Sequence, residues 1–248
     1  MKRKRLLDLT LIALTAVVWV PVLLIASLAV LISEGRPVYY RSNRRVSVDR
    51  VMKVVKFRTM VRNADKLVNR DTVPVEGQVR FLNIPPDSPL YTKIGSLLER
   101  FGLTEIPQLV HVITGRMSLI GNRPLPDNVQ NLLREEFPHA DDRFLTPSGL
   151  TGPAQLVGRQ ALTDDERLTI ETAYCRAALR GYSFRLDLSI LVSTVLIVLH
   201  LKEPMTYLEV EAMINRRSRV RSQTIVMADQ ILDAPGVAVV DLAAEQAS

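Results

Sequence analysis

The longest apolar run in the chain extends without a charge from Leu9 to Ser33. At about 25 residues it is long enough for a membrane-crossing helix, which needs about 20. Pro21 falls in its middle. A proline removes one helix hydrogen bond and crowds the preceding turn, so the pattern predicts a break there. Each half then has about 12 residues, or about 18 Å at 1.5 Å per residue, and neither half crosses a core of about 30 Å. The expectation is a helix, a break and a second helix that enter and leave the same membrane face. Topology agrees. Lys2-Arg-Lys-Arg5 precedes the run, and a straight span with this cluster inside would carry the rest of the chain outside. The run is too long for a signal-peptide core. Asp8 lies just before it and is expected to pair with a Lys or Arg at the interface.

The remaining pattern is mostly helical. Pro37 to Tyr40 reads as a short extended segment. Met52 to Met60 alternates enough for a strand, with Lys56 and Arg58 on one face. Val61 to Leu82 reads as a helix followed by a polar loop, and Asp87 as a turn cap. Thr104-Glu-Ile-Pro107 reads as a helix start continuing through Val110–Ile113, with Thr104 as cap and Pro107 in the first turn. Asp127 to Phe137 is expected to be a solvated helix with a stripe of Val129, Leu132 and Leu133. Asp164 to Arg180 is expected to be an amphipathic helix. Leu188 to Leu201, about 14 residues, is short for a span and suits an interfacial or buried helix. The fold class expected is α/β, mostly α: a monotopic membrane protein with a re-entrant N-terminal hairpin, few short strands and amphipathic interfacial helices. The divisions are 1–35 for the hairpin, 36–201 for the main domain and 202–248 for a partly flexible extension.

Composition narrows the partners. The chain has 248 residues, a net charge of +6 and a hydrophobic share of 47%. A basic, apolar chain points to a membrane surface or a phosphate-rich ligand. Aromatics are only 5%, and no helix-turn-helix, zinc or RNA-stacking motif appears, so nucleic acid is not the expected partner. The single Cys175 excludes an internal disulfide. His111, His139 and His200 are scattered, and no metal-ligand cluster stands out. Arg216, Arg217, Arg219 and Arg221 suit contact with anionic lipid.

The densest chemistry lies between Tyr91 and Pro126. Glycines at 95, 102, 115 and 121 mark turns. A helix start near Thr104 presents free N–H groups to an anion. Gly121-Asn-Arg-Pro124 sets an arginine in a rigid turn suited to phosphate. A second block, Arg143 to Arg159, is rich in glycine and ends on an arginine.

Taken together, Thr92-Lys-Ile-Gly95, Leu103, Glu105-Ile-Pro-Gln-Leu109, Gly115-Arg-Met-Ser-Leu-Ile-Gly121 and Arg123-Pro124 resemble the bacterial sugar transferases, the monotopic polyprenyl-phosphate phosphoglycosyl transferases. Lys56-Phe-Arg-Thr-Met60, then Gly149, Thr151, Gly152, Gln155, Gly158 and Arg159, then Glu171 and Tyr174 extend the resemblance, which covers about residues 2–201. It implies a cytoplasmic domain on the inner (cytoplasmic) membrane. It also implies transfer of a sugar-1-phosphate from a nucleoside-diphosphate sugar to polyprenyl phosphate at the start of exopolysaccharide or other glycoconjugate synthesis. Mg²⁺ is the implied cofactor, and membrane lipid an implied partner.

Carried over residue by residue, the resemblance puts Lys56, Arg58, Arg100, Arg123, Gln155 and Arg159 at the substrate phosphates and makes Glu105 a catalytic residue and magnesium ligand. Three positions depart from the family pattern. Its nucleophilic Asp is Thr104 here, its Arg five residues earlier is Glu99 beside Arg100, and the first Pro of its Pro-Arg-Pro turn is Asn122. A hydroxyl is a weak nucleophile without a base. Three readings stay open: direct attack by the lipid phosphate, phosphorylation of Thr104, or a non-catalytic membrane partner in polysaccharide assembly.

Overall fold

A computed structural model describes residues 2–62, 64, 88–157 and 162–216. The expected helix in Val61–Leu82, Asp87, Gly158, Arg159 and the arginines at 217, 219 and 221 lie outside these. Among the described residues the architecture is mostly helical, with two small two-stranded sheets.

Helix α1 (Lys2–Leu14) and helix α2 (Ala16–Glu34) form the N-terminal unit. The break lies at Thr15, not at Pro21, and α2 runs through the proline. A proline lacks the N–H that would bond the carbonyl four residues earlier, here that of Val17 near the start of α2. The Trp19 indole N–H donates to Ile12 O at 2.9 Å across this bend. Leu14, Val17 and Val18 around it are exposed. Both arms return to one domain. On the α1 side, Lys4 Nζ donates to Asp187 Oδ2 at 2.6 Å with both groups buried. On the α2 side, Ala26 and Val30 pack with Phe57 and Leu98. Asp8 accepts from Ser118 Oγ at 2.8 Å and Leu119 N–H at 3.1 Å, and the charge of nearby Lys4 acts on it as well. Arg5 donates to Ile113 O at 2.6 Å and to Val112 O.

Strands β1 (Tyr39–Ser47) and β2 (Arg50–Phe57) make an antiparallel hairpin, paired from Tyr39↔Phe57 to Ser47↔Arg50 with a bulge near Val46. Its buried Val46 and Val54 join Ile12, Val112 and Met117 in one cluster. Helix α3 (Lys93–Arg100) starts at Thr92, whose side chain caps Gly95 N–H at 3.0 Å. A side chain at position 95 would collide with the Thr59 backbone, so only glycine lets α3 approach β2's exit.

Next comes a 3-10 turn, Leu103–Gln108, and then helix α4 (Leu109–Ile113). Gly102 precedes the turn with φ 64, a left-handed conformation natural to glycine. Thr104 therefore sits inside the turn and not at its cap, and it makes no capping hydrogen bond.

Strands β3 (Ser118–Ile120) and β4 (Gly149–Thr151) pair in parallel. Helix α5 (Asp127–Glu136) and a 3-10 turn (Ala140–Phe144) connect them. Helix α6 (Pro153–Leu156), helix α7 (Asp164–Arg180) and helix α8 (Phe184–Val198) follow. A Thr163–Glu166 capping box starts α7 where the pattern placed it. The main core joins Ile120, Leu156, Ile170, Tyr174 and Ile190 to Val210 and Ile214. Each fully buried aliphatic side chain contributes about 1.5–3 kcal/mol. The helical stretch 207–216 therefore belongs to the core, although it lies in the extension expected from residue 202.

Candidate active site

The site gathers at the end of β3, where Gly121-Asn-Arg-Pro124 leaves the sheet. Glycines fix this geometry through close backbone approach. A side chain at Gly149 would meet Gly121 N at 2.2 Å, and one at Gly152 would meet Gly121 O at 2.3 Å. The three glycines let backbone pack on backbone. Gly121 N–H donates to Thr151 O at 2.7 Å and Gly149 N–H to Asn122 O at 2.9 Å, closing the junction.

Arg123 projects from this junction toward the 3-10 turn. Its Nη1 donates to Glu105 Oε2 at 2.7 Å, its Nη2 donates to Glu105 Oε1, and Nη1 also reaches Leu150 O at 3.3 Å. This is a two-armed guanidinium–carboxylate fork, the strongest ion-pair geometry available to side chains. Both partners are half-buried. Burial works against the Arg123 charge, but Glu105, with Glu99 nearby, outweighs it and holds the guanidinium protonated above its ordinary range.

Behind the turn lies a buried charged layer. Arg143 and Glu171 are 0% and 1% exposed, with Arg143 Nε donating to Glu171 Oε2 at 2.7 Å. Arg143 Nη2 donates to Arg123 O at 2.9 Å. Arg167 sits in the same layer. Burial lowers its pKa first; Glu171 counters this, Arg143 adds to it, Asp164 counters and Arg123 adds. Sequence reasoning missed Arg143 and Arg167. The available signal was charge on an inward helical face: Arg167, Glu171 and Cys175 recur at four-residue spacing beside Leu168 and Tyr174, all buried.

The other expected residues divide. Thr104 is 5% exposed, and its hydroxyl has no hydrogen-bond partner among the described residues. Gln155 lies beside the junction, its Oε1 being 3.2 Å from where a Gly152 side chain would begin; that oxygen has no hydrogen-bond partner among the described residues. Lys56 is on β2, which packs against the 3-10 turn, and its Nζ lies 5.3 Å from the Tyr40 ring centre. Arg58 lies past the end of β2, not on a shared strand face with Lys56. It donates to Glu34 O at 2.5 Å and Gly35 O at 3.1 Å, closing the last turn of α2. Arg100 is exposed at the end of α3, where a cation suits the helix dipole. The geometry thus brings together Glu105 and Arg123, with Thr104 adjacent to Glu105 in sequence and Gln155 beside the glycine junction.

Both carboxylate oxygens of Glu105 face a guanidinium, and no group of three ligand-type side chains forms among the described residues.

The described geometry is thus a half-buried carboxylate–guanidinium fork on a glycine-packed turn. The chain belongs to the bacterial sugar transferase family, which it matches over residues 1–201, and it is an enzyme of that class. It is 29% identical to an exopolysaccharide production protein, ExoY, of Sinorhizobium fredii, across 77% of this chain and 83% of that one. It is 32% identical to an uncharacterized sugar transferase, EpsL, of Bacillus subtilis, across 77% and 85%. It is also 32% identical to the UDP-glucose:undecaprenyl-phosphate glucose-1-phosphate transferase of Escherichia coli, across 77% of this chain but 39% of that longer protein.

Proposed function

We propose that the protein transfers a sugar-1-phosphate from a nucleoside-diphosphate sugar, a UDP-sugar by likeness to the Escherichia coli relative, to undecaprenyl phosphate. The observation that carries this reading is the Arg123–Glu105 fork in a chain of this family. Arg123 offers a planar pair of donors to a diphosphate, and Glu105 keeps that guanidinium charged and aimed before substrate arrives.

The reaction on this reading is a direct displacement. A phosphate oxygen of the lipid attacks the sugar-side phosphorus. The bond from that phosphorus to the bridging oxygen breaks, and nucleoside monophosphate leaves with that oxygen. The product is a polyprenyl diphosphosugar. The placement of Thr104 supports a path without a covalent enzyme intermediate. Its hydroxyl has no base bonded to it among the described residues, and the neighbouring Glu105 carboxylate forks with Arg123. Lys56 and Gln155 are assigned to substrate phosphate on the family resemblance. Mg²⁺, expected from the resemblance, would have to compete with Arg123 for Glu105.

The N-terminal unit is assigned to one face of the bacterial inner membrane, with the domain in the cytoplasm. Two features support this: an exposed apolar bend at Thr15, and arms that both pack on the same domain. Helix Ala16–Glu34 taken alone is long and apolar enough to cross a membrane. Cysteines introduced at Arg3 and Arg36 separate the two arrangements. An impermeant thiol reagent labels both from the cytoplasmic side of oriented vesicles if the unit is re-entrant, and only one of them if it spans.

The reaction is tested with full-length protein in lipid discs, undecaprenyl phosphate and a panel of labelled UDP-sugars. Transfer of label to the lipid with one of them is expected. No transfer with any, beside an active relative, would favour the non-catalytic membrane partner.

A further inference from the structure

We infer that Asn122 is a positioning residue, which holds the turn that aims Arg123 into the site. The inference rests on the transferase reading above. Asn122 is 1% exposed. Its Nδ2 donates to Arg143 O at 2.9 Å and to Glu171 O at 3.1 Å, with Cys175 Sγ at 3.2 Å. Two carbonyl oxygens facing one end of the amide identify that end as nitrogen. The next residue is tethered to the same layer, since Arg143 donates from Nη2 to Arg123 O at 2.9 Å. Asn122 through its side-chain amide and Arg123 through its carbonyl are thus both tied to Arg143, and Asn122 to Glu171 as well.

The amide is costly to keep there. Asn122 Oδ1 has no hydrogen-bond partner among the described residues, and a buried acceptor left unpaired is unfavourable. A residue that only filled space would avoid that cost. What the amide adds is a directed donor next to Arg123, the residue of the turn that bonds Glu105. Asn122 acts through the backbone, because its side chain points into α7 and away from Glu105. Small displacements of an aimed group are expensive, about a hundredfold in rate for about 1 Å.

A proline at this position would stiffen the same turn by another means, since its ring fixes φ without a side-chain bond. The Asn122 N–H makes no backbone hydrogen bond among the described residues, so a ring there removes none. This allows a rescue experiment on the full chain in lipid discs, comparing wild type, Asn122→Ala and Asn122→Pro. The first readout is amide hydrogen exchange at Gly121 and Gly149, whose N–H groups close the junction, with the amides of α7 as reference. The second is the KM for the UDP-sugar against that for undecaprenyl phosphate.

Alanine is expected to speed exchange at the two glycines by about tenfold, the scale of one lost buried hydrogen bond, and to leave α7 unchanged. It is expected to raise the donor KM by at least about tenfold while the lipid KM stays within about twofold. Proline is expected to reverse most of both effects. Unchanged exchange in the alanine variant overturns the inference. So does faster exchange with an unaltered donor KM, or a proline variant as impaired as alanine. If wild type transfers nothing, the transferase reading fails, and the exchange readout still decides whether Asn122 holds the turn.

Discussion

The guanidinium of Arg123 and the carboxylate of Glu105 meet through two parallel hydrogen bonds, one of 2.7 Å, between residues 18 positions apart. The pair bridges the 3-10 turn and the β3 exit. It is half-exposed, so its contribution to stability is small, about 0–1 kcal/mol, while its electrostatic contribution to a phosphate site is large.

Glu105→Gln separates these two roles. The neutral amide cannot hold the fork, and Arg123 loses its aim. Transfer is expected to fall by about 10²–10³-fold in kcat/KM, the scale of one lost preorganised charge contact. The melting temperature should stay within about 2 °C of wild type. Steady-state kinetics and thermal unfolding on the same preparation check both.

The buried pair behaves in the opposite way. Arg143 and Glu171 are almost fully enclosed. Glu171→Ala leaves an uncompensated guanidinium inside the domain, and about 3–5 kcal/mol of stability is expected to be lost. Replacing both by apolar residues, Arg143→Met with Glu171→Leu, should cost less than the sum of the two single changes. Chemical denaturation of the four proteins in detergent measures that coupling.

Much of this arrangement was legible beforehand, for reasons of range. Helices Asp127–Glu136 and Asp164–Arg180 carry their signals locally, in a spaced apolar stripe and a Thr-x-x-Glu cap. Glu105 and Arg123 were legible because their neighbours form a linked motif. What stayed hidden is paired across long separations. Lys4 and Asp187 are 183 residues apart, and in sequence Lys4 reads only as part of a basic cluster. The contacts of Arg58 with the carbonyls of Glu34 and Gly35 at the end of α2 have no local signal either. The glycines read as turn markers, and their lack of side chains serves the approach of one backbone segment to another.

His111 gives the chain a pH dependence with a definite sign. Its Nε2 accepts the Val55 N–H at 3.3 Å, so the folded state needs the neutral ring. Burial first, and Arg116 second, lower its pKa below the ordinary 6.5. The unfolded chain therefore takes up this proton before the folded one. Stability contributed by this group is complete above about pH 6.5 and falls as pH drops from there toward the lowered folded value. His111→Gln keeps an acceptor without the titration, and should flatten that part of the stability–pH curve measured by denaturant unfolding between pH 7.5 and 5.5.

Thr104 decides the central question of mechanism. The measurement is nucleoside monophosphate release by wild type and Thr104→Ala in lipid discs, with undecaprenyl phosphate and the preferred UDP-sugar, in Mg²⁺ buffer. Direct displacement predicts that the alanine variant keeps its rate within about threefold, and that neither protein carries a covalent phosphosugar when quenched. A variant slowed by a factor of about 10³ or more, beside a wild type that traps a phosphosugar on Thr104, would contradict the account.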